Sequence, residues 1–214
     1  MGRELIQPID PASAKAISDA AQLGSKMIDA GTAIGQYTAG ILGDLPHDLV
    51  GIAGDYVKYK RAKRALELEH DYKKLLSDRG VKEPIDPSPS VAIPLLKAAV
   101  DEDREILRDL WTRLLANACD PARKDRVRVS FIELLKKLDP FDADVLQILG
   151  AVPGVPAPNP RDYVIAQTKR SEDEVMVSFE NLVELGCLSY PNTGERWKPH
   201  MASRGRLLLS AVSS

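Results

Sequence analysis

The feature that most constrains the fold is a stripe of apolar residues at helical spacing within residues 101–118. Apolar side chains recur there every three or four positions, which places them on one face of an α-helix. The stripe consists of Ile106, Leu107, Leu110, Trp111, Leu114, Leu115 and Ala118. Acidic residues at its start suit the positive N-terminal end of a helix, and Asp120-Pro121 follows its end. The pattern predicts one buried amphipathic helix over residues 101–118.

One polar residue interrupts the stripe. Asn117 lies three positions after Leu114 and seven after Leu110, so it shares the apolar face. A buried amide needs hydrogen-bond partners. Two roles are open for Asn117: it locks the Asp120-Pro121 turn that follows, or it contacts a partner protein.

The first quarter of the chain is rich in small residues. Seven of the 14 glycines lie between positions 24 and 54, and residues 30–43 carry no charge. Small residues recur at every fourth position, at Gly31, Gly35, Ala39 and Gly43. Such a ladder lets helices approach closely, as in membrane-helix association or oligomeric pores. The alternatives are tight packing inside a soluble fold, or a poorly ordered arm.

A long helical pattern follows, from about residue 48 to residue 77, with Gly80 expected just beyond its end. Its middle contains a basic run of five cations in seven residues: Lys58, Lys60, Arg61, Lys63 and Arg64. The run is either a solvated helix face or a contact surface for anionic lipid headgroups. A proline-rich linker then leads to a helix that we expect to resume near Pro94.

The last third of the chain has a different pattern. It predicts helices over residues 141–149 and 171–186, with a short helix or an irregular segment over 162–168. Strands are predicted over 187–190 and 196–198, and a closing helix over 201–212. This order resembles a winged-helix module, a fold that docks DNA or proteins. Helix 171–186 carries five acidic residues and no Lys or Arg. Because basic side chains supply most non-specific DNA affinity, we do not expect nucleic acid as a partner.

Motifs for enzyme chemistry are missing from the sequence. The phosphate-binding patterns GxxxxGK[ST] and GxGxxG do not occur, and the two cysteines lack CxxC spacing. The three histidines are isolated from one another, and no nucleophile elbow is present. We therefore expect a protein that is not an enzyme, with no catalytic residue, cofactor or metal. The start of the sequence shows no secretory signal and there is no apolar run of about 20 residues, so we expect a cytoplasmic protein. A net charge of −2 argues against a general nucleic-acid binder.

A longer ordered pattern resembles a known family. It comprises the acidic stretch at 101–105, the run 110–120 (LWTRLLANACD), the run 129–140 (VSFIELLKKLDP) and DADVL at 142–146. These runs resemble the hallmark of the Abi-alpha (abortive infection alpha) family, with weaker similarity at 181–186 and 203–206. The usual Leu-Thr of the closing motif reads Met201-Ala202. The motif core comprises Leu110, Trp111, Leu114, Leu115 and Asn117. The resemblance implies a bacterial protein of phage defence and brings no catalytic residues.

Together these observations predict a mainly α-helical protein in three parts: an N-terminal segment (1–83), a central helical module (84–138) and a winged-helix-like module with a small β-hairpin (139–214). We expect a latent effector whose glycine-rich segment oligomerises or perturbs the inner membrane. Its expected partners are further copies of itself, an anionic membrane surface reached on activation, and a phage or host protein as trigger. The alternative is a soluble adaptor or DNA-associated regulator acting through residues 139–214.

Overall fold

The computed structural model describes residues 32–43, 52–151, 159–191 and 198–213, without the side chains of 52–56 and 58. Within those ranges the chain is mainly α-helical, with nine α-helices and one two-stranded antiparallel hairpin, which confirms the predicted fold class. The helices are α1 (Ala33–Gly43), α2 (Ile52–Asp78), α3 (Pro89–Asp101), α4 (Glu105–Cys119), α5 (Val129–Leu135), α6 (Pro140–Gly150), α7 (Pro160–Thr168), α8 (Glu172–Glu184) and α9 (Ser203–Ala211). The strands are β1 (Leu188–Ser189) and β2 (His200–Met201), and a 3₁₀ turn (Lys124–Arg126) precedes α5.

Two helices end at glycines, as the sequence predicts. Gly80 and Gly186 have φ angles of 72° and 71°, a left-handed conformation that favours glycine. At the first, the Val81 N–H donates to the Leu76 carbonyl at 3.0 Å. At the second, the Cys187 N–H donates to the Leu182 carbonyl at 2.8 Å. These bonds close the helix ends, and the second turns the chain directly into β1.

The prediction of one helix over residues 101–118 is wrong at its start. Residues 102–104 separate α3 from α4, and Glu102 and Arg104 both have extended backbone angles. Glu102 turns inward and is 8% exposed. Its carboxylate accepts hydrogen bonds from the backbone N–H of Arg104 at 3.1 Å and from Arg104 Nε at 2.8 Å. This local side-chain pairing replaces one helical turn.

Helix α3 begins earlier than predicted. It starts at Pro89, whose fixed φ suits the first turn of a helix, and Pro94 lies inside it. Pro94 cannot donate to the carbonyl of Ser90, four residues before it. Ser90 is exposed in the first turn, where water reaches its carbonyl. The proline is therefore tolerated five residues into the helix.

The C-terminal hairpin pairs through residues beyond the predicted returning strand. Leu188 pairs with Met201 and Ser189 with His200, so the described returning strand is β2, while residues 196 and 197 of the predicted strand lie outside the described residues. The Ala202 N–H donates to the Cys187 carbonyl at 2.9 Å, which extends the pairing up to the start of α9. The order of three helices, hairpin and closing helix matches the expected one. Assignment to the winged-helix fold stays a prediction, as does the division into three parts.

One continuous apolar core runs from Ile34 in α1 to Val212 after α9. Helix α4 lies at its centre, in contact with α2, α3, α6 and α9. Nine of its 15 residues are buried. The amphipathic stripe is therefore the core-forming face that the sequence predicts.

Candidate functional site

Helix α1 is an uncharged helix that packs on α3 and, to a lesser extent, on α2. Its buried face consists of Ile34, Gly35, Thr38 and Ile41, which recur at helical spacing. The Thr38 hydroxyl donates to the Ile34 carbonyl at 2.8 Å, so the polar group is satisfied within the helix. Helix α1 is thus attached through one narrow face.

The small-residue ladder falls partly on α1. Gly35 is buried and its N–H donates to Thr32 Oγ1 at 3.1 Å, whereas Ala39 is exposed. Gly43 is the last residue of α1, and Gly31 lies outside the described residues. Gly40, which does not belong to the ladder, is exposed and has open space where a Cβ would stand. A role for the ladder in helix association stays a prediction.

Two cations of the basic run form ion pairs and hydrogen bonds with other residues of the fold. Arg61 makes a two-pronged ion pair with Asp101, with Nε–Oδ1 at 2.5 Å and Nη2–Oδ2 at 2.8 Å. Arg64 donates to the Asp103 carbonyl at 3.2 Å and to Glu67 at 3.3 Å. Both arginine side chains are only 20% exposed. The basic run and the acidic stretch of the family motif therefore meet, and they pin α2 to the break between α3 and α4.

The other cations of the run differ from the two arginines. The Lys63 side chain is 62% exposed and lies 3.8 Å from Glu67, at the limit of an ion pair. Lys60 is exposed as well, while the side chain of Lys58 lies outside the described residues. Lipid contact through this run stays a prediction. In this structure its outward-facing members are Lys60 and Lys63.

A charged groove between α2 and α4 was not anticipated from the sequence. Glu67 accepts a hydrogen bond from Arg108 Nη2 at 2.5 Å and stands between two clefts of about 380 and 450 Å³. Lys74, Asp78 and Arg113 line the first cleft. Acidic and basic groups alternate along it, which suits a polar chain segment better than an apolar ligand. Among the described residues, no group of three His, Cys, Asp or Glu is placed to hold a metal ion.

Most of the family-motif core is buried in α4. Leu110, Leu114 and Leu115 belong to the apolar core, and Trp111 is 1% exposed. The indole N–H of Trp111 completes no hydrogen bond by distance and angle, although it helps to stabilise the nearby Glu102 charge. Burial raises the pKa of Glu102, but the hydrogen bonds and charge of Arg104 outweigh burial and hold that pKa below its ordinary value.

Asn117, the fifth residue of the motif core, joins three distant parts of the chain. Its Nδ2 donates to the carbonyls of Ala211 at 2.7 Å and Ser213 at 3.2 Å, and its Oδ1 accepts from Arg79 Nη1 at 2.8 Å. The turn after α4 is fixed instead by Asp120, whose carboxylate accepts from the Ala122 N–H at 2.9 Å. Asn117 therefore ties residues 211–213 to α4, whereas Asp120 and not Asn117 bonds within the Asp120-Pro121 turn. A partner contact through Asn117 stays a prediction.

Within the described ranges, no helix is long and apolar enough to pass through a bilayer.

Comparison with protein families gives one match. The family model described as Abi_alpha, Abortive infection alpha, matches residues 60–202, about two thirds of the 214 residues. The matched range begins within α2 and ends just after β2, so α1 lies outside it. No curated protein and no solved structure matches the chain.

Proposed function

The chain belongs to the abortive infection alpha family, and from this premise we propose that it is an anti-phage defence protein that acts as a latent effector. Latency is supported by the way in which α1 packs on the rest of the protein. This uncharged helix lies outside the family-matched range and is attached to α3 through one narrow face. In the proposal, α1 is held there in the resting protein and is released during infection.

The energetics of this packing favour local release of α1. Burial of Ile34 and Ile41 stabilises the packed position of α1 by about 1.5–3 kcal/mol for each side chain. The loss of backbone entropy on ordering α1 opposes this burial. We therefore expect the attachment of α1 to be weaker than the global free energy of unfolding. Segments held in this way open locally while the rest of the core stays folded.

Released α1 would act by self-association at the inner membrane surface. Its 11 residues are too few to span a bilayer, which needs about 20. Gly35 would then provide the close helix contact that small residues allow. Lys60 and Lys63 would bind anionic headgroups, each contributing up to about 1 kcal/mol near such a surface.

Two glycine variants test the effector proposal with a matched control. Gly35→Leu places a bulky side chain at the buried position of α1, and Gly40→Leu makes the same chemical change at an exposed one. We expect Gly35→Leu to abolish dye leakage from anionic vesicles and protection in phage plating, while Gly40→Leu retains both. If the small residues serve only to pack the resting fold, Gly35→Leu should instead lower the free energy of unfolding by about 1–3 kcal/mol. If the unaltered protein never permeabilises vesicles, even with infected-cell lysate, the proposal is wrong.

The lipid contact has its own test. Reversal of charge at Lys60 and Lys63 should weaken binding to anionic vesicles. Because Lys63 lies 3.8 Å from Glu67, which also pairs with Arg64, we expect a small fall in the melting temperature as well. The double reversal Lys82→Glu/Lys137→Glu, at two other exposed cations, is the control because it changes the net charge by the same amount. If the variant at Lys60 and Lys63 and the control lose the same amount of binding to anionic vesicles, the contact is not specific to Lys60 and Lys63.

A second candidate is a soluble adaptor or DNA-associated regulator acting through residues 139–214. Val177 on α8 is 56% exposed, which favours contact with a protein. Glu172 and Glu174 on the same helix are exposed acids, which disfavours DNA. A salt-sensitive gel shift of the full chain with duplex DNA would support the regulator, whereas a defence phenotype without leakage would support the adaptor.

A further inference from the structure

Three hydrogen-bond donors converge on one carbonyl oxygen beside Asn117. The Ser213 carbonyl accepts from Asn117 Nδ2 at 3.2 Å, from Arg79 Nη2 at 3.2 Å and from Arg123 Nη1 at 3.4 Å. A carbonyl oxygen has two lone pairs, so the donors outnumber what it can accept. Two of these donors are cationic, and they meet a neutral group.

Among the described residues, this cluster has more donors than acceptors and little negative charge. Arg79 Nε is buried and has no hydrogen-bond partner there. Asp120 is the described carboxylate that faces both arginines, but it stands 3.9 Å from Arg79 and 3.5 Å from Arg123. Burial lowers the pKa of Arg79, and repulsion from Arg123 lowers it further, with Asp120 opposing. The residues that the structure describes thus balance the positive charge of this cluster incompletely.

We propose that Arg79, Asn117 and Arg123 form a binding site for an anionic oxygen group, a phosphate or a carboxylate, and that residues 211–213 close this site in the structure described. Guanidinium groups bind such anions through paired, charge-assisted hydrogen bonds that are stronger than bonds to a neutral carbonyl. An anion also supplies an oxygen for the orphaned Arg79 Nε.

Opening of the site requires only a small rearrangement. Residues 211–213, which we call the strap, follow directly on α9, and the Val212 N–H donates to the Leu208 carbonyl at 3.0 Å. Fraying of this last helical turn moves the Ser213 carbonyl away and frees the donors. The anion and the strap then compete for the same groups. This competition is independent of α1 and of the membrane step proposed above.

Calorimetric titration of the full chain tests the site. The probes are inorganic phosphate and acetate, each compared with chloride at equal ionic strength, and the anion that saturates at lower concentration identifies the chemical class. We expect saturable binding of one of them, weakened about tenfold or more in Arg123→Ala because a charge-assisted bond is lost. Arg123→Lys keeps the positive charge but loses the planar pair of guanidinium donors. Its anion affinity should therefore lie between those of Arg123→Ala and the unaltered protein. Lys137→Ala is the matched control and should bind as the unaltered protein does.

Hydrogen exchange provides the structural measurement. Bound anion should speed exchange of the amides of residues 209–213 and leave the amides of α4 unchanged. The proposal is overturned if neither anion binds more tightly than chloride, if Arg123→Ala binds as well as the unaltered protein, or if binding leaves exchange in the strap unchanged. Loss of vesicle leakage in any variant has no bearing on these outcomes.

Discussion

Replacement of Trp111 by alanine should lower the free energy of unfolding by about 3–5 kcal/mol. Trp111 is 1% exposed at the centre of α4, and its neighbours Leu107, Leu114 and Leu115 are fully buried. Its indole N–H completes no hydrogen bond by distance and angle, so most of the loss comes from apolar burial and from the cavity left behind. For a chain of this size each kcal/mol shifts the melting temperature by about 2–4 °C. The expected fall is therefore about 6–20 °C.

Trp111→Phe is the matched variant. It keeps one buried ring, but it loses part of the apolar volume together with the indole N–H, which completes no hydrogen bond by distance and angle yet helps to stabilise the charge of Glu102. We therefore expect a loss clearly smaller than that of Trp111→Ala. Urea unfolding followed by far-ultraviolet circular dichroism measures both variants, provided that the slope of the transition is unchanged. An unaltered midpoint for Trp111→Ala would refute the reasoning. Equal losses for both variants would do so too, because the loss would then come from the indole N–H beside Glu102 and not from apolar burial.

Three further predictions follow from the charged and buried groups. Burial raises the pKa of Cys119 to about 12 and that of Cys187 to about 11, so both thiols should react with an aromatic disulfide reagent only after unfolding; rapid reaction in the native protein would contradict this. Burial also raises the pKa of Asp142, so its ionisation at neutral pH opposes folding. The free energy of unfolding of the unaltered protein, compared with that of Asp142→Asn, should therefore fall as the pH rises from the ordinary carboxyl pKa of 3.8 to neutrality. Denaturation of both proteins across pH measures this difference, and a difference that does not change with pH would exclude it. Finally, Arg61→Ala should lower stability by up to about 1 kcal/mol and Lys63→Ala by less than half of that, and equal thermal shifts would show that the two-pronged ion pair contributes nothing.

An element of the fold could be predicted from the sequence where the interactions that determine it are local in sequence. The interior of α4 was predicted because its apolar stripe spans four turns of sequence. The break at residues 102–104 was not, because an acidic stretch also suits the first turn of a continuous helix. What decides the matter is Arg104, which pairs with Glu102 and donates to the carbonyl of Leu138 at 3.3 Å. That contact joins positions 34 residues apart and leaves no periodic signal.

The candidate site shows the same limit. Asn117 could be singled out because an amide on an apolar face needs partners, but Arg79 and Ser213 lie 38 and 96 residues away in sequence. Composition identified the basic run as a unit, yet only the packing of α2 separates its inward arginines from its outward lysines. The type of residue indicated which groups need hydrogen-bond or ion-pair partners. Only the tertiary structure shows which residues those partners are.

The bonds of the strap have a consequence for the kinetics of folding. Arg79 and Ser213 are 134 residues apart, and Asn117 and Ala211 are 94 apart, so these bonds close the longest loops described. The entropy of loop closure opposes their formation until the helices between them have assembled. We therefore expect these contacts to form after the folding transition state. Asn117→Ala should then speed unfolding and leave the folding rate nearly unchanged, so Asn117 would set how long the protein stays folded rather than how fast it folds.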